Sequence, residues 1–575
     1  FVIGAVVMHM LACAQSPKPF VKLIIPARDN NVVRSATQYI SGSTCKSCEI
    51  TVNGTPVKVY SSGGFAAAVQ LKPGENSVNV QSKSGELTAV KKLVYNYSVP
   101  PAPEPVKTLE IAGIETTPAG NMQVLPGDKI LLQVKALPNA EGWVNDRVRL
   151  YEIPLSAAQK MPGIYQGEFT FKETDTLLNN YLQIRLRDTS GATISRRSPH
   201  TYTILPAFRS DKIITTGRLA HLLYGYGEDR LGGAKMGYID SQIVLKTVGK
   251  VNNLYKVELS KYRTAYIPDD VVLPMPPGTP DARSLSGSWR IYGDSLFDYV
   301  KIAFDNRLPY YSVQELHPSR IIVDVFGATN NSNWITQMDN VKEIKQVRYE
   351  QVQDDILRII IELKHTQHWG HAIYYEGNRL AIKVRRQPEK AALSGLRIAV
   401  DAGHGGGNSG ATGPTGSIEK ELALAVSMKL KRALEYQGAT VITTRTTEKF
   451  VDNKQRILMY RDSMPDLLIS LHLNSSGDPI NAKGTGTFYK YPGYRSLNTA
   501  IYKRMVELGL KEYGVTGNFN FMLNSPTEYP NALVEMLFIS NPEEEDLILK
   551  ESFQQAIADK IVEGIKDFLK ASVQP

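Results

Sequence analysis

Two histidines in the last third of the chain stand at positions where a parallel β-sheet would bring their side chains together. His404 and His472 each follow an apolar stretch, residues 398–400 and 467–471, that is typical of a buried strand. The carboxyl ends of neighbouring parallel strands line one crevice of an open sheet. Because loop residues follow both histidines, their positions favour metal ligation over two unrelated core histidines.

Two carboxylates extend this pair into a candidate catalytic set. A catalytic zinc ion commonly has three protein ligands, and two histidines with one glutamate are an established combination. Glu419 stands at the start of the helix predicted at residues 420–437, so it is either the third ligand or an acid favoured by the helix dipole. Glu535 lies inside an otherwise apolar strand, where an unpaired carboxylate is costly. Its position indicates a neighbouring cation or a carboxyl group of raised pKa. Such a carboxyl group could be the base that hydrolysis by activated water would need.

The glycine-rich stretch DAGHGGGNSGATG, residues 401–413, has a second interpretation as a phosphate-binding loop. Such a loop would carry the pattern GxxxxGK[ST], or GxGxxG at the start of a helix. Neither pattern is present, and no lysine is placed for phosphates. The glycines are therefore predicted to turn the chain at a strand end and to present His404.

Three segments resemble, in the right order, the motifs of the zinc-dependent N-acetylmuramoyl-L-alanine amidases of the amidase-3 family. They begin at residues 398, 443 and 530 and read IAVDAGHGGGNSGATGPTGSIEKELAL, TTRTTEKFVDNKQRILMYRDSMPDLLISLHLNSS and PNALVEMLFISNPEEEDLI. The resemblance covers residues 393–571. It implies a zinc ion, a catalytic glutamate at Glu535, and the zinc ligands His404, Glu419 and His472.

The resemblance also implies the reaction, which is hydrolysis of the amide bond between N-acetylmuramic acid and the L-alanine of a peptidoglycan stem peptide. Asn474 and Arg445 are further candidates, for orienting the substrate. Asn408 departs from the family, which often has Asp at this position. Residues 484–530 show no long helical insertion of the kind that plugs the active site of some relatives. Two other functions stay open: a zinc carboxypeptidase or other peptidase acting on stem peptides, and a catalytically inactive cell-wall-binding protein.

The elements that would position these groups form a C-terminal α/β domain at residues 393–571. Strands alternate with helices, which predicts a mainly parallel sheet with both faces covered. The predicted strands are 397–400, 440–443, 467–471 and 532–538. The last helix is predicted to start near Asn541 and Pro542, a favourable pair for a helix N-terminus.

Upstream, alternation of apolar and polar residues between turn signals predicts several all-β modules, so the fold class is multidomain. They are an immunoglobulin-like sandwich at 16–98, a second β-sandwich at 107–206, a small β-barrel at 207–275 and a sandwich at 286–388 that resembles the AMIN module. Proline-rich segments at 99–106 and 274–280 predict linkers. The histidines at 365, 368 and 371 are predicted to form a structural turn rather than a metal site.

The beginning of the chain bears on its compartment. Its first twelve residues are apolar but too few to span a bilayer, which needs about 20 residues. They predict the remnant of a secretion signal at 1–14, with cleavage after Ala14 favoured over lipid attachment at Cys13. A local disulfide between Cys45 and Cys48 is predicted, in keeping with export to the periplasm or cell envelope.

The net charge of +9 suits an anionic partner. Charge alone does not choose among nucleic acid, a membrane surface and wall polymer, but export argues against nucleic acid. We expect peptidoglycan as the partner. The β-modules are expected to position the enzyme, either on the wall or on an activator protein or the cell-division machinery.

Overall fold

A computed structural model of the chain describes residues 18–100, 104–154, 161–206, 211–227 and 229–572. The signal remnant predicted at 1–14 lies outside these residues, and so does the alternative lipid anchor at Cys13. Within the described ranges, no helix combines the length and the apolar character that a bilayer span requires.

The first β domain is a sandwich of a three-stranded and a five-stranded sheet. Its strands are β1 (Lys22–Ile25), β2 (Asn30–Val33), β3 (Thr37–Ser43), β4 (Glu49–Val52), β5 (Thr55–Val57), β6 (Gly64–Gln70), β7 (Gly74–Ser84) and β8 (Leu87–Tyr97). One face of each sheet packs onto a shared core that includes Ile40, Phe65 and Val80, which explains the alternation in the sequence. A disulfide joins Cys45 and Cys48, which confirms that prediction.

The next two β domains are joined through hydrogen-bonded strands. The strands are β9 (Ile111–Thr117), β10 (Met122–Val124), β11 (Lys129–Ala136), β12 (Glu141–Val144), β13 (Val148–Glu152), β14 (Ile164–Thr170), β15 (Asn180–Arg187) and β16 (Thr193–Ile204), followed by β17 (Lys212–Thr215), β18 (His221–Leu223), β19 (Lys235–Tyr238), β20 (Val244–Val251), β21 (Leu254–Ser260), β22 (Arg263–Pro268) and β23 (Val272–Pro274). We keep the predicted name small barrel for the unit of β17–β23, whose strands pair in the order β19-β18-β22-β21-β20-β17-β23. Strand β10 pairs with β16 of its own domain and with β20 of the small barrel, so backbone hydrogen bonds link the two domains.

A further β domain follows the small barrel. It contains β24 (Ser284–Leu285), β25 (Trp289–Gly293), β26 (Phe297–Ala303), β27 (Tyr310–Leu316), β28 (Ser319–Phe326), β29 (Ala328–Thr329), β30 (Ile335–Gln337), β31 (Ile344–Gln353), β32 (Ile356–Leu363), β33 (His371–Glu376) and β34 (Arg379–Arg385). A five-stranded and a four-stranded sheet carry most of these strands, and a short two-stranded pair completes the domain. Its core is continuous with that of the small barrel.

The C-terminal domain has one six-stranded sheet in the order β36-β35-β37-β40-β38-β39. Its elements are β35 (Arg397–Ala402), α1 (Glu419–Tyr436), β36 (Thr440–Thr443), α2 (Asn453–Ser463), β37 (Leu467–Asn474), β38 (Thr485–Phe488), α3 (Arg495–Val506), β39 (Glu512–Thr516), β40 (Asn531–Phe538), α4 (Pro542–Ile548) and α5 (Glu551–Ser572). All neighbouring strands are parallel except β38 and β40, which confirms the prediction of a mainly parallel sheet.

The end of the chain corrects one prediction, because the helix that starts at Pro542 is two helices. Helix α4 ends at Ile548, and the backbone carbonyl of that residue accepts a hydrogen bond from the Gln554 side chain in α5. The two helices have different partners. Helix α4 contacts β6 of the first domain, where Asp546 accepts hydrogen bonds from Ser61, whereas α5 packs against α1 and α3. The change of partner accounts for the break.

The segment 484–530 contains the twelve-residue helix α3. Leu497, Ile501 and Met505 of this helix are buried in the core of the C-terminal domain. On α5, the backbone at Gly564 approaches Ile501 so closely that a side chain there would not fit. Helix α3 is therefore part of the scaffold.

His368 and His371 lie at the contact between the β24–β34 domain and the C-terminal domain, and both are buried. The His371 Nε2 atom is 2.8 Å from Ser312 Oγ, and the His371 backbone N–H donates to Thr527 of the C-terminal domain. The His368 Nε2 atom is 2.9 Å from the Glu315 carbonyl oxygen. Burial lowers the pKa of His371 to about 3, and burial lowers the pKa of His368 to about 4.

We predict that acid destabilises this contact. The folded chain holds both histidines neutral, whereas the unfolded chain protonates them below about pH 6.5. Stability is therefore fully present above pH 6.5 and is lost as the pH falls towards the folded pKa values. Linkage gives a loss of about 2 kcal/mol per histidine between pH 7 and pH 5. His371→Asn should remove about half of this dependence, measured by denaturant unfolding across the pH range.

The exposed His317 of the same domain provides the control, because His317→Asn should leave the pH dependence unchanged. An unaltered pH dependence in His371→Asn would contradict the assignment of the effect to burial at this contact.

Candidate active site

Three side chains predicted as metal ligands converge at the carboxyl end of the sheet. His404 follows β35, Glu419 is the first residue of α1, and His472 lies near the end of β37. The Glu419 Oε1 atom is 3.0 Å from His404 Nε2 and 3.1 Å from His472 Nδ1. Among the residues that the structure describes, these three form the one group of histidine, cysteine and acidic side chains placed to share a metal ion.

The spacing of these donor atoms suits a small cation. A zinc ion in tetrahedral geometry binds nitrogen and oxygen ligands at about 2.0–2.2 Å, which separates neighbouring donors by about 3.3 Å. The separations from Glu419 Oε1 to the two histidine nitrogens, 3.0 and 3.1 Å, are close to that value. Two imidazole nitrogens and one carboxylate oxygen therefore form three sides of a site whose fourth side faces the cavity.

The charge state of Glu419 follows from these contacts. Burial opposes ionisation of its carboxyl group, but hydrogen bonds from His404 and His472 outweigh burial and hold the pKa of Glu419 well below its usual range. Burial likewise opposes protonation of His472, yet its hydrogen bond to Glu419 and the charge of Glu535 raise the pKa of His472. Glu419 is thus ionised, and a bound cation would take the place of the histidine protons that balance its charge.

His404 is held in an unusual backbone conformation. Its φ of +59° lies in the left-handed region, which costs a non-glycine residue about 1–3 kcal/mol. The buried guanidinium of Arg456 donates to the His404 carbonyl oxygen. On the ring, Nδ1 is 3.0 Å from the Asn408 side-chain oxygen. Nδ1 can donate to Asn408 when a metal takes the place of the Nε2 proton, which otherwise bonds to Glu419, and this is the tautomer that a metal requires.

Two glycines are required because the proposed metal ligands approach the backbone closely, and not because the loop binds a phosphate. A Cβ atom at Gly403 would lie 2.5–2.8 Å from the ring atoms of His472. A Cβ atom at Gly410 would lie 2.4 Å from Glu419 Oε2, and the φ of Gly410 is +68°. The glycine-rich stretch therefore leaves room for His472 of β37 and Glu419 of α1.

Glu535 of β40 borders the same cavity. It pairs with His472 in the parallel register of β37 and β40. Its Oε2 atom is buried and makes no hydrogen bond with any residue that the structure describes. Burial raises the pKa of Glu535 to about 7, against the opposing influence of the His472 imidazole. An unpartnered carboxyl group of this kind can accept and release a proton near neutral pH.

The buried carboxylate of Asp401 links the strands beneath the site. Its two oxygens accept hydrogen bonds from Arg456, Tyr460 and Ser470, all of them buried. Since these residues come from α2 and β37, the network fixes β35 against both elements. Sequence analysis did not identify Asp401, although a carboxylate at the end of an apolar strand was a usable signal.

The cavity in front of these groups has a volume of about 640 Å³. Phe519, Phe521 and Leu523 form an apolar wall, and Asn474 lines the cavity as well. Two further lining residues, Arg230 and Leu231, come from the small barrel, and sequence analysis missed them.

Arg445, the other residue considered for orienting the substrate, lies buried behind the cavity. Its guanidinium donates to the backbone carbonyl oxygens of Ala402, Gly403, Lys420 and Thr447. These contacts join the turn before His404 to the first turn of α1. In this position Arg445 holds together the two backbone segments that carry His404 and Glu419.

Comparison with known proteins identifies two domains. Residues 398–567 match the family model described as N-acetylmuramoyl-L-alanine amidase, and residues 289–384 match that of the AMIN domain. A protein named probable cell wall amidase LytH, from Staphylococcus aureus, is 32% identical over 185 residues, which are 32% of this chain and 62% of the relative. The chain thus spans less than two thirds of the curated relatives that it matches. The matches confirm the resemblance to the amidase-3 family and to the AMIN module.

Two solved structures are similar to part of the chain. The N-acetylmuramoyl-L-alanine amidase from Clostridium difficile 630 is 28% identical, covers 31% of this chain and 97% of its own, and has a TM-score of 0.30. The catalytic domain of CwlV, an N-acetylmuramoyl-L-alanine amidase from Bacillus (Paenibacillus) polymyxa var. colistinus, is 30% identical, covers 30% and 98%, and has a TM-score of 0.29.

We predict that Asn408 sets the affinity of the metal centre through His404. Asn408→Ala removes the acceptor for His404 Nδ1 and should weaken binding of divalent metal by about 10–100-fold. Asn408→Asp keeps an acceptor oxygen and should bind at least as tightly as the wild-type chain. Competition with a chromogenic chelator measures both affinities.

The neighbouring exposed serine supplies the control, because Ser409→Ala leaves the acceptor in place and should not change the affinity. Wild-type affinity in Asn408→Ala would show that this hydrogen bond does not orient the ligand.

Proposed function

We propose that this chain, whose residues 398–567 form a domain of the N-acetylmuramoyl-L-alanine amidase family, hydrolyses the amide bond between N-acetylmuramic acid and the L-alanine of the stem peptide. The observation that carries the proposal is the convergence of His404 and His472 on Glu419, beside Glu535, whose buried Oε2 atom has no hydrogen-bond partner among the described residues. Peptidoglycan is the substrate class that this reaction implies.

Zinc is the metal that we propose for the His404, Glu419 and His472 set. Two imidazoles and one carboxylate are an established ligand set for catalytic zinc, and the donor separations suit its tetrahedral geometry. A bound zinc ion would supply Lewis acidity, which polarises the scissile carbonyl group and lowers the pKa of a water molecule to about 7.

Glu535 is the proposed proton carrier. Glu535 lines the cavity together with the three ligand residues, and its buried Oε2 atom makes no hydrogen bond with any described residue. Glu535 takes a proton from the attacking water and delivers it to the nitrogen of L-alanine as the carbon–nitrogen bond breaks. The products are a glycan with a free lactyl carboxylate and a stem peptide with a free amino terminus.

The remaining residues of the site would bind and orient the substrate. Asn474 lines the cavity, and its amide can form hydrogen bonds with the peptide backbone of the substrate. Arg445 is proposed to act indirectly, since its guanidinium donates to the backbone segments that carry His404 and Glu419. The apolar wall of Phe519 and Phe521 would exclude water from one side of the scissile bond.

Location and partners belong to the same proposal. Action on peptidoglycan implies an exported protein of the periplasm or cell envelope, and the net charge of +9 suits anionic wall material. The AMIN domain and the other β domains would hold the catalytic domain at the wall, either directly or through an activator protein or the cell-division machinery. The signal at 1–14 and lipid attachment at Cys13 stay predictions from the sequence.

We predict that Glu535→Gln separates proton transfer from metal binding. The substitution removes the proton acceptor and should lower turnover of purified sacculi by about 10²–10⁴-fold. Zinc content should remain near one ion per chain, because Glu535 is not among the proposed ligands. Turnover is followed as release of free amino groups, and zinc is measured by elemental analysis.

A matched control is Glu512→Gln, an exposed glutamate of the same domain that does not line the cavity, and its turnover should equal that of the wild-type chain. Wild-type turnover in Glu535→Gln would refute the proposed role of Glu535. A chain that binds no zinc would refute the proposed metal centre.

A further inference from the structure

One loop of the small barrel reaches the cavity of the C-terminal domain. The loop lies between β18 and β19, at residues 224–234, and Glu228 is the residue in it that the structure does not describe. Arg230 and Leu231 of this loop line the cavity together with the proposed metal ligands and Glu535. Among the described lining residues, these two are the ones that come from a β domain. The proposed active site is therefore built from two domains.

The loop is fixed to the C-terminal domain by a set of partly buried hydrogen bonds. The Asn520 side chain donates to the carbonyl oxygens of Leu231 and Gly233 and accepts from the Lys235 backbone N–H. The buried Lys490 ammonium group donates to the Lys235 carbonyl oxygen at 2.9 Å. Burying a polar group is costly unless it has a hydrogen-bond partner. These paired groups therefore fix the position of the loop.

The body of the small barrel is held against the same domain. Arg218 forms an ion pair with Asp462 of α2 at 2.6 Å. Tyr238 of β19 packs on the apolar cluster of α2 and its neighbours, and the Arg461 guanidinium lies 4.4 Å from the centre of its ring. These contacts thus hold the small barrel where its loop reaches the cavity.

Arg230 differs from the other arginine that lines the cavity. The Arg456 guanidinium is buried and committed to Asp401 and to backbone carbonyl oxygens. Arg230 is exposed, and it forms no hydrogen bond or ion pair with another residue that the structure describes. Its positive charge is near enough to act on Glu535 across the cavity. A guanidinium with no partner among the described residues can bind an anionic group of the substrate in a two-point contact.

We propose that Arg230 is a specificity-determining residue, which binds a free carboxylate of the stem peptide close to the scissile bond. The inference rests on the proposed function. The second residue of a stem peptide is a glutamyl residue linked through its side-chain carboxyl group, so its α-carboxylate is free unless it is amidated. That group lies one residue beyond the L-alanine whose amide is cut. The chain would therefore distinguish free from amidated stem peptides.

The test uses two synthetic muramoyl tripeptides that differ only at this group, one with a carboxylate and one with a carboxamide. Kinetics are measured for the full wild-type chain and for Arg230→Gln, Arg230→Lys and Lys261→Gln. The wild-type chain should prefer the carboxylate substrate by about tenfold in kcat/KM, mainly through KM. Arg230→Gln should bring the ratio of the two kcat/KM values close to one, and Arg230→Lys should retain part of the preference.

Lys261→Gln is the matched control, because this exposed cation of the small barrel does not line the cavity. Its preference should equal that of the wild-type chain. Equal turnover of both substrates by the wild-type chain would overturn the inference, and so would an equal loss on both substrates in Arg230→Gln. If Arg230→Gln does not fold, the inference is tested by the preference of the wild-type chain for the carboxylate substrate and by its partial retention in Arg230→Lys. Absence of turnover on either substrate by the wild-type chain would instead overturn the proposed function, and this inference with it.

Discussion

The parallel pairing of β35, β37 and β40 is the constraint on which the candidate site depends. In this register Ala402 lies opposite Leu471, and His472 lies opposite Glu535. Three strand ends thus deliver two proposed metal ligands and a proton carrier to one edge of the sheet. Helix α1 begins at the same edge and supplies Glu419. The placement of these groups follows from the backbone pairing of the three strands.

This arrangement has a cost in folding free energy that the surroundings must offset. A left-handed residue at His404 costs about 1–3 kcal/mol, and a buried carboxylate such as Asp401 is tolerated only when it is fully paired. The Asp401–Arg456 pair meets that condition, and the same guanidinium holds the His404 backbone. One buried network therefore stabilises both the scaffold and the strained ligand. Glu535 differs, since its Oε2 atom has no partner within the described part of the chain and is available for proton transfer.

The sequence was informative where local pattern and strand order determine position. The apolar runs before His404 and His472 predicted β35 and β37, and the carboxyl ends of parallel strands meet at one edge of a sheet. Strands β38 and β39 were not predicted. The sequence was not informative where distant segments pack together. Arg230 reaches the cavity because the small barrel docks onto α2, and no local pattern encodes that contact. The break before α5 was missed for a similar reason, since it reflects the contact of α4 with the first β domain.

The position of the new oxygen atom tests the central claim most directly. Purified sacculi would be digested by the full chain in water enriched in ¹⁸O, and the soluble products analysed by mass spectrometry. The account predicts ¹⁸O in the lactyl carboxylate of N-acetylmuramic acid, together with unlabelled stem peptides that begin with a free L-alanine. Label at the carboxyl ends of peptides, with the lactyl amide intact, would contradict the account and indicate a peptidase.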